Sequence, residues 1–296
     1  MNKDRILCAM VSGLCFVSSG VVAQEEATGK PTPPTAVSLL KTDEPVKIDG
    51  VLDEACWKAA EPVRMEFAYG KLGVRSEPLP AKVYYAWDHE YLYVGYETFD
   101  TTLRAAGSGE EEGAQGNSRE ACAIGGSNDV FEIFVSFDDP HFFWELHHNA
   151  ANNFSDIWVT VAGKDWPLHR SSRAYQGIIW SPKESLDYAS LETAVRPKRK
   201  KDGKPGTVNQ DDDVDAGYVG ELRFSWKSLG APKEWLRGAD KIDGKSIVLF
   251  AAVQDGAGTP RYHHTSPHQK ITGFFHTEAA GWPRYRLVDP ERDSNQ

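Results

Sequence analysis

The sequence predicts an all-β fold: an antiparallel β-sandwich with one short helical turn near its N-terminus. Short runs in which apolar and polar residues alternate recur along the chain between turn residues, whereas long helical periodicity is absent. Nine Trp, eleven Tyr and thirteen Phe also favour strands, because aromatic side chains pack well on a pleated surface. About ten such runs are typical of a sandwich.

The clearest element is a β-hairpin. Residues 81–87 and 91–99 are two aromatic, alternating runs joined by the polar residues 88–90. Further strands are predicted at 129–137, 142–146, 154–161, 218–226, 247–254 and 284–288. In the first of these, alternation puts Glu132 on one face with Phe134, and Phe131 with Ile133 on the other.

The segments between the strands are polar. Residues 103–126 are rich in Gly, Glu and Ala and predict an exposed loop. Residues 196–215 hold a basic run, 196–201, and an acidic run, 211–215. Opposite charges so close in sequence indicate a solvated hairpin tip that neutralises itself rather than a polyanion site.

The N-terminus predicts secretion. Lys3 and Arg5 precede a mostly apolar run that ends in a cleavage site after Ala23, so residues 1–23 read as a signal peptide. Residues 24–37 read as a flexible linker and residues 38–290 as the sandwich domain. We therefore expect a secreted or periplasmic protein whose mature chain does not insert into a membrane.

Charge and cysteine content narrow the function classes. The chain has a formal charge of −10, which argues against nucleic acid and anionic lipid as partners. After removal of the signal peptide, Cys56 and Cys122 remain. They could pair in an oxidising compartment or stay as two thiols, since nothing in the sequence sets the distance between them.

Residues 48–60 combine a turn, a helical turn and a tryptophan. Asp49-Gly50 is a strong tight-turn pair. Asp53 is placed to cap a short helix on which Trp57 and Ala60 share a face. We expect these residues to build the sandwich rather than to contact a ligand.

The order of motifs resembles family 9 carbohydrate-binding modules. The run Ile48-Asp49-Gly50-x-Leu52-Asp53-Glu54-x-x-Trp57-x-x-Ala60 resembles the opening of that family. Later matches, in order, are the hairpin followed by Asp100, the strand 128–134, residues 143–149 with Asp156, residues 206–229, Ser266-Pro267 and residues 275–278. The resemblance implies an antiparallel sandwich of the immunoglobulin-like or jelly-roll type that binds a polysaccharide or oligosaccharide without cleaving it, as an accessory to glycan degradation or uptake.

The same resemblance suggests ligand-binding residues. Sugars offer hydroxyls that need donors and acceptors, and C–H patches that stack on aromatic faces. The candidate ligand-binding residues are Glu132, Trp144, Glu145, Asn149, Trp158 and His276. Well-known members of the family clamp a terminal sugar between two tryptophans, but here Gly126 and either Phe275 or His276 stand at those positions.

Metal ligands are a second class of candidate. Asp100 and Asp129 stand where the family has calcium-rich loops, and carboxylates suit this hard cation. His147 and His148 are adjacent on a strand and so point to opposite faces, which prevents them from sharing one ion. We interpret these two residues, and likewise His263, His264 and His268, as surface histidines.

Three alternatives remain. Glu132 and Glu145 could act as the acid and base of a glycoside hydrolase, although no hydrolase, metalloprotease or nucleotide-binding motif occurs in the chain. A haem protein is disfavoured, because relatives of this sandwich bind haem through Met and Lys and the mature chain has only Met65. The third alternative is an extracellular structural or interaction domain that has lost sugar binding.

Overall fold

A computed structural model describes residues 38–68, 79–105, 129–137, 142–161, 173–175, 178–182, 191–210, 212–256, 263–266 and 281–293. All of them belong to the second of the two units into which the chain divides, residues 33–296. The predicted signal peptide, the linker, most of the 103–126 loop, Cys122 and His276 lie outside the described residues. No helix in the described ranges is long and apolar enough to cross a bilayer.

The described residues form fifteen strands. In chain order they are β1 (Ser38–Leu40), β2 (Val63–Arg64), β3 (Phe67–Ala68), β4 (Ala81–Trp87), β5 (Tyr91–Thr98), β6 (Val130–Ser136), β7 (Phe142–Asn149), β8 (Phe154–Val161), β9 (Arg173–Tyr175), β10 (Ile178–Pro182), β11 (Leu191–Pro197), β12 (Tyr218–Ser225), β13 (Ser246–Asp255), β14 (His263–Ser266) and β15 (Arg284–Val288). Short helices span α1 (Ala55–Ala59), α2 (Ala239–Ile242) and α3 (Pro290–Asp293), and a 3-10 turn spans Trp235–Arg237.

The strands form two sheets. The larger sheet has ten strands in the order β1-β15-β13-β6-β7-β8-β10-β9, with β14 beside β13 and β3 beside β14. The smaller sheet has five strands in the order β11-β12-β5-β4-β2. Pairings are antiparallel except between β1 and β15, which are parallel. The predicted all-β sandwich is confirmed.

One apolar layer fills the space between the sheets. Alternation along β4, β5, β6, β7, β12 and β13 sends every second side chain into this layer. Its largest members are aromatic, among them Trp87, Trp144, Trp226 and Tyr96. The indole N–H of Trp87 donates to the Leu39 carbonyl at 2.8 Å and that of Trp226 to the Asp88 carbonyl at 2.8 Å. These two buried indoles thus keep their polar groups satisfied.

The predicted strands are all present. Each agrees with the structure within one residue at its ends, except β7, which extends further to Asn149. The strands that the sequence did not predict are short, lie at sheet margins or, in β11, are half-exposed. Such segments are too short or too mixed in polarity to show alternation. The basic run is indeed neutralised locally, because Lys200 pairs with Asp213.

Residues 46–60 cover the outer face of the smaller sheet. Trp57 and Val46 pack there against Ala86 and Tyr93. A Cβ atom at Gly95 would lie 2.7 Å from Leu52 Cδ2, so a larger residue at this position would displace the Leu52 side chain. The expected structural role of the motif agrees with this packing.

The predicted cap of α1 is wrong. The residue at the N-terminal boundary is Glu54, not Asp53, and it makes no side-chain capping bond. Packing of Trp57 onto the smaller sheet therefore stabilises this single turn, because one turn of helix is marginal by itself.

Candidate functional site

The outer face of the larger sheet carries a buried polar cluster. Alternation turns Phe131 and Leu146 inward, so the neighbouring polar side chains of β6, β7 and β13 face outward. We call these residues the outer-face cluster: Glu132, Glu145, His147, Asn149 and Gln254. Each is at most 2% exposed. Polar groups that are buried so completely need hydrogen-bonding or ion-pair partners, and each of these residues has at least one.

Two carboxylates converge on one imidazole. His147 Nε2 lies 2.7 Å from Glu145 Oε1 and 3.7 Å from Glu132 Oε1. Glu132 and His147 are direct partners in the register of β6 and β7. Glu145 pairs with Phe134 and is the next residue of β7 on the same face. The antiparallel pairing therefore produces this arrangement, which provides acceptors and an imidazole donor in one place.

An aromatic group adjoins the outer-face cluster on the same face. It consists of Phe134, Phe143, Phe250 and Trp282. The Trp282 ring stacks on Phe250 with centroids 4.8 Å apart and contacts the Phe143 ring at 4.7 Å. In the register, Phe134 is opposite Glu145. The outer face thus places hydrogen-bonding groups directly beside buried aromatic carbon, and each ring of the aromatic group is at most 4% exposed.

The structure brings some of the predicted ligand-binding residues together and separates others. Glu132, Glu145 and Asn149 share the outer face. The Asn149 side-chain oxygen, Oδ1, accepts the backbone N–H groups of Ala151 and Asn153, both at 3.0 Å, so it shapes the turn between β7 and β8.

Trp144 faces the opposite way. It is 1% exposed and packs edge-on against Phe224, with centroids 5.0 Å apart, in the layer between the sheets. We therefore correct its assignment, because its place in the alternation makes it a core residue and not a sugar platform. Trp158 pairs with Trp144 in the backbone register of β7 and β8. His276 lies outside the described residues.

The interpretation of His147 and His148 as surface residues is wrong, although they do point to opposite faces. His147 joins the outer-face cluster, whereas His148 is fully buried between the sheets. His148 Nδ1 lies 3.0 Å from the Tyr96 hydroxyl and Nε2 lies 2.8 Å from Asn152 Oδ1. Burial lowers the pKa of His148 from 6.5 to about 4, so this imidazole is neutral near pH 7.

Sequence reasoning did not assign His147 and Gln254 to the site. Their only sequence signal is a polar residue at an alternating position within an apolar strand, as at Gln254 in 247–254. That signal does not tell a buried outer face from a solvated one. Only the sheet order, which places β13 beside β6 and β6 beside β7, joins them to Glu132.

A second candidate site is an acidic cluster at one edge of the sandwich. Carboxylate oxygens of Asp100, Asp129 and Asp255 lie within 4.8 Å of one another. Asp100 follows β5 of the smaller sheet, whereas Asp129 precedes β6 and Asp255 ends β13 in the larger sheet. The structure thus joins the two predicted metal ligands and adds Asp255, which the sequence analysis missed because only strand pairing brings it there.

Backbone groups hold the acidic cluster in place. Asp129 accepts the N–H of Gly256 at 2.8 Å and that of Arg104, and Asp100 accepts the N–H of Thr102 at 2.9 Å. Burial, followed by repulsion from Asp100, raises the pKa of Asp129 from 3.8 to about 8. A bound divalent cation would offset that repulsion, so these residues fit a hard cation.

Solved structures resemble this chain across most of its length. A family 9 carbohydrate-binding module from Caldicellulosiruptor kristjanssonii in complex with cellotriose is 15% identical, with a TM-score of 0.49, and the match covers 86% of this chain and 94% of the module. The glucose complex of a family 9 module from that organism is 16% identical, with a TM-score of 0.48 and coverages of 86% and 95%.

A protein of Bacteroides uniformis, to which carbohydrate binding has been ascribed, is 11% identical with a TM-score of 0.50, and the match covers 85% of this chain and 98% of that one. At these identities the likeness is one of fold alone. No protein-family model and no curated protein matches the sequence.

Proposed function

We propose that this protein is a non-catalytic carbohydrate-binding protein that holds a glycan at the outer face of its larger sheet. The observation that supports it most is the outer-face cluster of Glu132, Glu145 and His147 beside the aromatic group around Trp282. Carboxylates accept hydroxyl hydrogen bonds, and the imidazole can donate or accept. The rings of the aromatic group are at most 4% exposed and pack on one another, so they form an apolar wall beside the polar groups rather than a free stacking platform.

The geometry favours binding over hydrolysis. A glycosidase needs two carboxyl groups on either side of the scissile bond, one of them free to protonate the leaving oxygen. Here Glu132 and Glu145 both approach the same nitrogen of His147. A role beside polysaccharide-degrading or uptake machinery, outside the cytoplasm, agrees with the predicted signal peptide.

Replacement of Glu132 tests the site. We expect Glu132→Gln to weaken saccharide affinity at least tenfold, because one hydroxyl acceptor becomes a donor and its contact with His147 changes. A glycan array of cellulose, xylan and pectin fragments finds a ligand, and calorimetry measures its affinity for the wild type and the variant. The matched control is Glu61→Gln, an exposed glutamate outside the strands, which should bind like the wild type.

Two results would contradict the proposal. If no glycan binds while circular dichroism shows an intact fold, the protein is an interaction domain instead. If Glu132→Gln and Glu61→Gln bind equally well, a glycan binds elsewhere. The melting temperature of each variant is recorded so that a loss of fold is not mistaken for a loss of contact.

We propose in addition that Asp100, Asp129 and Asp255 hold a structural calcium ion. An ion that binds only the folded chain at about a hundred times its Kd adds roughly 2.7 kcal/mol. Removal of the calcium ion with a chelator should therefore lower the melting temperature by about 5–10 °C. Calorimetry measures the melting temperature, and elemental analysis of the untreated protein measures its calcium content.

The Asp129→Asn variant should melt at the same temperature with and without chelator. The exposed Asp43→Asn should respond to chelator like the wild type. A wild-type protein that contains no calcium and melts identically in both buffers refutes the metal site.

A further inference from the structure

We propose that the chain carries a second saccharide-binding surface, at the edge of the smaller sheet and remote in sequence from the outer-face cluster. This proposal rests on the proposed carbohydrate-binding function and extends it to a new site. We call this surface the Phe99 groove and define it by Phe99, Lys200, Lys201, Lys204 and Val214, which line an open cavity of about 550 Å³.

The groove has the size of a ligand site, and it contains exposed apolar side chains. Small-molecule sites commonly span about 300–1,000 Å³. Among described residues, the large exposed hydrophobic side chains are Phe99, Val214 and Leu236. Two of the three line this one groove, so exposed apolar surface is concentrated here rather than scattered as on an ordinary surface.

Phe99 is held in position before any ligand arrives. The Lys198 ammonium lies 3.4 Å from the centroid of its ring. Glu97 fixes that ammonium at 3.1 Å and also binds Lys82 at 2.6 Å. The ring remains 45% exposed. A fixed, half-exposed aromatic ring loses little side-chain entropy when a sugar packs against it.

The segment between β11 and β12 supplies the lysines of the groove, and its turn is closed by hydrogen bonds and ion pairs. Gly203 adopts a φ of 82° and donates its N–H to the Lys200 carbonyl at 2.9 Å, which closes the turn. Lys200 pairs with Asp213, and Lys204 pairs with Asp202 at 3.2 Å. Among the described residues Lys201 has no acidic partner, so its exposed ammonium is available to donate to a ligand.

The charge pattern indicates a neutral ligand with many hydroxyl groups. Three lysines and four aspartates, among them Asp100 of the acidic cluster, line the groove and largely neutralise each other, which gives both donors and acceptors without a strong net field. A polyanion needs an excess of positive charge, and a protein partner would usually need a broader surface. A short neutral oligosaccharide can place its C–H face on Phe99 and its hydroxyls toward Lys201.

Chemical-shift mapping tests the groove. ¹⁵N-labelled protein is titrated with cellotriose, with xylotriose and with a galacturonic acid trisaccharide, and each amide is followed separately. We expect a neutral sugar to shift amides of residues 99–102 and 199–216. We expect Phe99→Ala to weaken that response at least tenfold. Leu236→Ala is the matched control, because Leu236 is also 45% exposed but lies outside the groove, and it should leave the titration unchanged.

The outcomes separate this proposal from the first. Shifts confined to residues 130–149 and insensitive to Phe99→Ala would refute the groove and leave the outer-face site standing. Shifts confined to the groove would refute the outer-face site. A response only to the galacturonic acid trisaccharide would overturn the neutral ligand, and no response to any of the three probes would contradict both sites for these sugars.

Discussion

Glu221→Gln should lower the free energy of unfolding by roughly 2–4 kcal/mol. The Glu221 carboxylate is fully buried and joins two distant parts of the chain. Its Oε2 accepts backbone N–H groups of Asp49 at 2.8 Å and Gly50 at 2.7 Å, and its Oε1 accepts the Trp57 indole N–H at 2.9 Å.

The physical reason is that every partner of this carboxylate is a donor. Burial raises the pKa of Glu221, and the hydrogen bonds that it accepts oppose that rise. Glutamine has almost the same shape, but its amide nitrogen would face a donor whichever way it is turned. Either the indole or the backbone N–H groups would then be buried without an acceptor.

Urea unfolding at neutral pH measures the effect. Trp57→Phe removes a single donor and part of the buried ring and should cost less, about 1–2 kcal/mol. Glu66→Gln replaces an exposed glutamate and should change stability by no more than about 0.5 kcal/mol. If Glu221→Gln unfolds at the same urea concentration as Glu66→Gln, the carboxylate does not anchor the N-terminal motif.

Acid should destabilise the protein through His148, by roughly 3 kcal/mol between about pH 6.5 and pH 4. The imidazole lies between the sheets, and burial lowers its pKa from 6.5 to about 4. In that interval the unfolded chain binds the proton and the folded chain does not. Stability is therefore fully present above about pH 6.5 and falls as the pH falls.

The hydrogen bonds of His148 leave no place for a second proton. Asn152 Nδ2 donates to the Thr193 carbonyl at 3.4 Å, so its Oδ1 faces His148 Nε2 and accepts from it. His148 Nδ1 must then accept from the Tyr96 hydroxyl. Protonation of Nδ1 would break that bond and place a charge beside the stacked rings of Tyr96 and Phe131.

The difference between two unfolding curves isolates this effect. His148→Gln keeps a donor and an acceptor but does not titrate, so the wild type should lose about 3 kcal/mol more than this variant between pH 6.5 and pH 4. Other titrating groups are common to both proteins and cancel. Parallel pH dependence of the two proteins would contradict the prediction.

Much of the sandwich could be predicted, because alternation along single strands is a local property. The hairpin of β4 and β5, the long strands β6, β8, β12 and β13, and the inward-facing apolar side chains follow from period-two patterns. Strands such as β2 and β3 have two residues each. Their sequences contain no pattern, since pairing with a neighbour creates them.

The candidate sites were less predictable, because each is assembled from several strands. Asp100 and Asp129 were identified from the resemblance to the family's calcium-rich loops, but Asp255 required the pairing of β13 with β6. Trp144 was predicted to bind the ligand, but the structure places it in the hydrophobic core. A tryptophan in an alternating strand is the same local signal whichever face of the sheet is the inner one.

By itself, the sequence determined the fold class and the positions of the long strands along the chain. It also determined the opposite directions of His147 and His148 and the structural role of residues 48–60. Only the tertiary structure decided which face of each strand is the inner one. It alone showed that Glu221 accepts the hydrogen bonds of Asp49, Gly50 and Trp57. It also decided that Glu132, Glu145 and His147 converge. The reason is physical: alternation sets the relative direction of neighbouring side chains, whereas their surroundings depend on contacts between residues far apart in the chain.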